Sequence, residues 1–179
     1  MSSFPSLVLR FMGLICTALL FSGCASYGGS NLKPGESTLS DVIAIMGEPT
    51  MRWRESDGRE QLAYPRGPYG TQTFMVFTDN NERLVRIEKV LNMEHFARIE
   101  IGKSDQASVL KLLGPVTSPW NVVYFKARDE LVWSWLFCDS FNQRTYFDAL
   151  FDGTTGIVRT TQQRLNFGGW NSVALGCGQ

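Results

Sequence analysis

The stretch Gly35 to Pro49, GESTLSDVIAIMGEP, returns 67 positions later as Gly102 to Val116, GKSDQASVLKLLGPV. Laid over each other without a gap, the two stretches match Gly35 with Gly102, Ser37 with Ser104, Val42 with Val109, Ile43 with Leu110 and Ile45 with Leu112. The match continues through Met46 with Leu113, Gly47 with Gly114, Thr50 with Thr117 and Trp53 with Trp120. A self-match of this spacing implies that one supersecondary unit was duplicated and that its copies pack together. Each copy predicts a short amphipathic helix. A Ser, Thr or Asp stands at the start, with Thr38 and Asp41 as a capping pair. Gly47 and Gly114 sit where a left-handed residue closes a helix, and Pro49 prevents continuation.

The first residues read as an export signal. Arg10 is the one charge there, and the apolar run Phe11 to Phe21 is shorter than the roughly 20 residues needed to span a bilayer. Ser22-Gly23-Cys24-Ala25 follows, with small residues before a Cys as in a bacterial lipobox, although Phe21 stands where Leu is usual. Residues 1–23 are therefore expected to be a lipoprotein signal peptide and Cys24 the lipidated residue. The alternative is an ordinary secretory signal with an incidental Cys. Ala25 rather than Asp after the Cys points, by resemblance to the lipoprotein sorting rule, to the outer membrane. Residues 24–31 are small and polar and suit a flexible tether with a reach of roughly 15 Å.

Without its first 23 residues the chain carries 16 basic against 17 acidic residues, and the charge is balanced in both halves. This argues against a nucleic-acid partner and against a polybasic lipid-binding patch. Cys138 and Cys177 form the one candidate disulfide besides the anchoring Cys24; two free thiols too far apart to bond are the other reading.

The first repeat is assigned to residues 32–91. After its helix come extended segments Met51 to Arg54 and Gln61 to Tyr64 around the Asp57-Gly58 turn, then Thr71 to Thr78 and Glu82 to Val90 around Asp79-Asn80-Asn81. The second repeat, residues 92–164, offers Val122 to Phe125, Glu130 to Cys138, Arg144 to Phe151 and Gly156 to Gln162. In this reading Phe77 matches Phe151 and Leu84-Val85-Arg86 matches Ile157-Val158-Arg159. The predicted fold class is α+β, with two tandem repeats that are each a short helix followed by an antiparallel β-meander. Residues 165–179 form a Gly-rich tail without a pattern.

The pattern of Gly35, Thr38, Val42, Met46, Gly47, Pro49, Tyr64, Phe77 and Leu84 to Ile87 resembles the BamE (SmpA/OmlA) family of outer-membrane lipoproteins. The second repeat keeps Gly102, Val109, Leu113 and Gly114, with Val116 in place of the Pro. The family has one such unit, so the likeness extends over the chain as a tandem pair. A tandem is also similar to the β-lactamase inhibitory protein, whose repeats form a concave binding face. The resemblance implies an accessory role in β-barrel protein assembly, with envelope proteins, and among them the barrel-assembly machinery, as partners.

Residues suited to catalysis are few. His95 is the sole histidine and lies between the repeats, where a surface or packing role is expected, and no G-x-S-x-G, HExxH or paired CxxC is present. Asp148 and Asp152 could form an acid pair; Asp152 better suits the Asp-Gly turn and Asp148 a solvated strand face. The expectation is no enzyme, no cofactor and no metal. Binding has more material. Leu131, Trp133, Trp135 and Phe137 fall on one face of a strand by its two-residue period, either as core or as an exposed anchor row. Arg52, Arg54, Tyr64, Arg66 and Tyr69 form a weaker, loop-borne group. Trp133, Trp135, Arg52, Arg54, Tyr64 and Tyr69 are thus the candidate partner-binding residues. The expected role is a non-enzymatic, protein-binding lipoprotein held by its N-terminal lipid at the periplasmic face of the outer membrane. The alternative is an inhibitor or ligand-binding module that presents a concave sheet to a periplasmic hydrolase.

Overall fold

A computed structural model of the chain describes residues 28–67, 70–168, 173–174 and 176–177. It is an α+β fold with few helices and two four-stranded antiparallel sheets. Helix α1 spans Leu39–Met46, and the Thr38 side chain accepts from the Asp41 N–H while the Asp41 carboxylate accepts from the Thr38 N–H at 2.8 Å. This reciprocal box satisfies donors that a helix start leaves open. A short helix α2 occupies Met93–Phe96, and α3 spans Gln106–Leu113 with the same box made by Asp105 and Ser108. The glycines closing α1 and α3 have φ/ψ of 79°/−171° at Gly47 and 78°/179° at Gly114. The expected left-handed turn is thus a positive φ with extended ψ, a region essentially reserved for glycine.

Strands β1 (Met51–Arg54), β2 (Glu60–Arg66), β3 (Gln72–Thr78) and β4 (Leu84–Lys89) pair in sequence order. So do β5 (Val122–Phe125), β6 (Glu130–Cys138), β7 (Arg144–Asp152) and β8 (Val158–Leu165). Bounds expected for β1, β5 and β6 agree with the structure, whereas β8 starts two residues later and runs to Leu165. In the tail, β9 (Phe167–Gly168) and β10 (Val173–Ala174) pair as a short ribbon.

Several bonds recur in both sheets. Gly35 N–H donates to Leu84 O at 2.7 Å and Gly102 N–H to Val158 O at 2.8 Å, while Leu84 and Val158 donate back to Ser37 O and Ser104 O. Ladder irregularities fall between Phe77 and Thr78 and between Leu150 and Phe151. These positions correct the sequence alignment by one residue. Phe77 corresponds to Leu150 rather than Phe151, and Leu84 to Val158 rather than Ile157, because the hairpin from Phe151 to Val158 is one residue longer than that from Thr78 to Leu84.

Helix α1 buries Leu39, Val42 and Met46 against Leu62, Tyr64, Phe74, Val76 and Leu84. Helix α3 buries Val109 and Leu113 in a second core with Phe96, Trp135, Phe137, Phe147, Phe151 and Val158. The end of α3 also seats on the other face of the first sheet. A Cβ on Gly114 would stand 2.8 Å from Thr73 Cγ2 and 3.3 Å from Met75 Cε, and the Gln61 amide donates to Lys111 O. Strand β3 is consequently covered on both sides, which explains the uninterrupted burial of Phe74, Met75 and Val76. The packed chain starts before Leu32, since a Cβ on Gly29 would meet Ile87 and Leu32 side-chain carbons at 2.9 Å.

Candidate partner-binding site

The aromatic row of β6 belongs to the core. Trp135 is 2% exposed, and its indole N–H donates to Gly114 O at 3.0 Å. Trp133 is half-buried and packs on the same core, with its ring 4.8 Å from Phe151 and 6.1 Å from Trp135. This overturns Trp133 and Trp135 as an exposed anchor row. The physical reason is the shortness of α3: an eight-residue helix places two side chains fully in the core, so the sheet must supply the remaining bulk with rings. Phe96 adds to the filling by stacking on Phe147 at 3.9 Å and meeting Phe137 edge-on at 4.9 Å.

Tyr64 is also core, at 0% exposure and opposite Phe74 in the ladder, and is removed from the candidate surface. Burial, helped by the negative charge of Glu48 and opposed by Arg66 and Arg52, pushes its phenol up to about 12. Among the described residues its hydroxyl has no hydrogen-bond partner. Arg66 lies over the Tyr64 ring at 5.2 Å and donates to Met46 O at the end of α1, where a cation complements the helix dipole. Tyr69 and Cys24 lie outside the described residues.

Arg52 and Arg54 remain at the surface, on edge strand β1 rather than on a loop. Both reach the carboxylate of Glu60, which is nearly fully buried. Arg52 Nη2 is 2.5 Å from Glu60 Oε2 and Arg54 Nε is 3.5 Å from Oε1. A buried acid needs such partners, and in return it fixes guanidiniums that would otherwise sample many rotamers. The constellation Glu60–Arg52–Arg54 was only half visible in sequence. The i, i+2 spacing of the arginines on a strand was the available signal, and Glu60 opposite Arg54 in the β1–β2 ladder needed the hairpin register.

A groove unforeseen in the sequence runs where the first sheet meets α2 and α3. Two cavities of ~300 and ~330 Å³ share Gln61, Phe77 and Arg86 as lining. Arg86 is stacked over the Phe77 ring at 3.7 Å and bonded to Glu88 at 2.7 Å. Burial raises the Glu88 carboxyl, but the hydrogen bond and charge of Arg86, with those of His95, outweigh it and leave the group lowered. His95 is buried, with Nδ1 3.0 Å from Asn92 Oδ1 and Nε2 3.6 Å from Glu88 Oε2, a packing position at the junction.

Asp148 does not lie on a solvated face. It is 1% exposed and accepts from Arg164 Nε at 2.8 Å and from Gln162 at 3.2 Å, because β8 lays those side chains beside it. Asp152 is held instead by Thr155 and Arg159 at the hairpin, so each carboxylate has its own partners and the two form no acid pair. Cys138 and Cys177 are bonded, with Cα atoms 6.0 Å apart, which ties the tail to the end of β6. Among the described residues no group of three potential ligands could hold a metal ion, and no helix is long and apolar enough to cross a membrane.

In comparisons with known proteins, no family model, no curated protein and no solved structure matches the chain.

Proposed function

We propose that this chain is a lipid-anchored protein of the bacterial outer membrane that binds another envelope protein, in β-barrel assembly or envelope integrity, without catalysing a reaction. The observation that carries the binding reading is the edge of the first sheet. Arg52 and Arg54 stand exposed there, Arg52 hydrogen-bonded to the buried Glu60 carboxylate and Arg54 ion-paired with it at 3.5 Å. Arginines fixed in advance lose little freedom when a carboxylate or a carbonyl row docks on them, and such residues recur at protein-binding hot spots. The anchor is supported by Ser22-Gly23-Cys24-Ala25 after an apolar run.

The chain is in this reading a tandem of two units, each a helix and then a meander. Its support is the recurrence of the capping boxes, of the Gly35–Leu84 and Gly102–Val158 bonds, and of the two bulges. A second reading, an inhibitor of a periplasmic hydrolase, is favoured by the groove that Gln61, Phe77 and Arg86 line, since an inserted loop would find a ring, an amide and a cation there.

The test is purification of the full-length protein from detergent-solubilised envelopes, with co-purifying proteins identified by mass spectrometry, beside an Arg52→Ala/Arg54→Ala double variant. Barrel-assembly subunits bound to the wild type and lost from the variant are expected. Recovery of a single hydrolase would favour the second reading. An intact Cys24 protein that fractionates as soluble would refute the anchor.

A further inference from the structure

Of the four edges of the two four-stranded sheets, three carry charged or strongly polar side chains. Strand β1 has Arg52 and Arg54, β4 has Arg86, Glu88 and Lys89, and β8 has Arg159, Gln162, Gln163 and Arg164. Charges on an edge discourage a further strand from pairing with it. The fourth edge, β5, is Val-Val-Tyr-Phe, exposed along its whole length, with 41–54% of each residue open to solvent. Trp120, two residues before it, is 87% exposed. Contiguous apolar surface of this kind, on a strand that among the described residues has no neighbour on its outer side, marks a pairing site.

We infer that β5 pairs with β5 of a second copy of this chain, antiparallel across a two-fold axis, to join two of the β5–β8 sheets edge to edge. The inference goes beyond the accessory role proposed above and does not require it. What decides the occupant is the chemistry of the edge. Val122 and Tyr124 lie opposite Trp133 and Leu131 on the helix-covered side, while Val123 lies opposite Val132 on the other. An added strand must therefore be apolar at both parities, and β5 itself meets that requirement.

Charge points the same way. Strand β5 has none, and the residues after it, Lys126, Arg128, Asp129 and Glu130, sum to zero. Arg128 is spent on Glu130 at 2.9 Å and on the Phe125 ring at 4.6 Å, and Asp129 accepts from the Tyr124 hydroxyl at 2.6 Å. Two such edges meet without like-charge repulsion, whereas an anionic surface would find no net positive field. An axis normal to the sheet keeps each face on its own side, so it must pass through a residue. Through Val123, that residue meets itself, and Val122 meets Tyr124 of the second copy. This register leaves each Tyr124 hydroxyl on its own Asp129.

The test uses the full-length protein. Sedimentation equilibrium in density-matched detergent is expected to give a dimer, and Val123→Cys should form a disulfide-linked dimer under mild oxidation in intact envelopes, because directly opposed strand residues lie within bonding reach. Val85→Cys, equally exposed on the β4 edge, should form none. Val122→Lys/Tyr124→Lys copies the basic arrangement of β1. It should weaken self-association by about tenfold or more through like charges across the axis, with the far-UV circular dichroism of the folded chain retained. A monomer at the highest attainable concentration together with an unlinked Val123→Cys overturns the inference. So does a Val123→Cys linked to a different protein, which would assign the edge to another chain's strand.

Discussion

The two halves of the molecule set an aromatic residue at the same ladder position and treat it differently. Counted from the bulges, Tyr64 opposite Phe74 corresponds to Trp135 opposite Phe147. The Trp135 indole finds Gly114 O, a carbonyl just past the end of α3, and the polar tip is satisfied. The Tyr64 hydroxyl is buried without a partner among the described residues, and the helix-end carbonyl of Met46 is taken by Arg66 instead. The edges differ in parallel. Arg52 and Arg54 of β1 occupy the places that Val122 and Tyr124 hold in β5, as the pairings with Leu62 and Glu60 and with Trp133 and Leu131 define. One scaffold thus keeps cations on its first edge and apolar side chains on its second, and the difference lies in side chains rather than in backbone.

Trp135 provides the severest test. Trp135→Ala should cost about 3–5 kcal/mol in denaturant unfolding, since it opens a ring-sized hole in the core and frees Gly114 O. A loss under 1 kcal/mol would return the residue to the surface and with it the aromatic row as a binding face.

The helix-closing glycines come next. Both have positive φ, so Ala at either should cost about 1–2 kcal/mol in backbone strain. Only at Gly114 does the new methyl collide with the first sheet, at Thr73 and Met75, while nothing lies within 4 Å of a Cβ at Gly47. Gly114→Ala should therefore lose a further 1–3 kcal/mol or so through overpacking. Equal melting shifts for the two variants would break the assignment of α3 to both sheets.

The hairpins before the closing strands differ in acid. Thr155 backbone and side-chain donors, then Arg159, hold the Asp152 carboxyl down to about 2 from an ordinary 3.8. A lowered carboxyl contributes stability above its unfolded value that is lost as pH falls through the folded one. Melting temperature should thus drop between pH 4 and 2, and Asp152→Asn should flatten that drop. Asp79, at the corresponding turn, accepts from the Asn81 and Arg83 N–H groups and, among the described residues, has no side-chain cation on it.

What could be read from sequence was local. Capping boxes, the Asp-Gly turns and strand periods depend on residues within four positions of one another, and Thr38, Asp41 and Gly58 all take the roles their neighbours imply, while Gly47 closes α1 with an extended ψ. The period of β6 gives the two faces of the strand but not what covers them, because the cover, α3, ends at Leu113, well before β6 begins at Glu130. Asp148 was assigned to solvent for the same reason: Arg164, its partner, sits 16 residues on in the next strand. Trp120 matched Trp53 in the gap-free alignment, yet a 3-10 turn at Pro119–Asn121 shifts the second edge, and Val123 takes the place of Trp53 in the ladder. Cys138 and Cys177 could be paired only once the tail was located.

The smallest effect should fall on Tyr64. Tyr64→Phe removes a buried hydroxyl that bonds to nothing among the described residues, so unfolding near pH 7 should change by under about 0.5 kcal/mol, or gain slightly, since no partner is left unpaired. The contrast appears in alkali. With the phenol raised to about 12 in the fold against 10 unfolded, wild-type stability is complete below pH 10 and falls as pH rises towards 12, where the unfolded chain ionises more readily. Tyr64→Phe should lose that portion of the alkaline decline, while Trp135→Phe, which strands Gly114 O, should be weaker at every pH. A Tyr64→Phe protein destabilised at neutral pH would mean that the hydroxyl has a bound partner, and the two aromatic positions would then be alike after all.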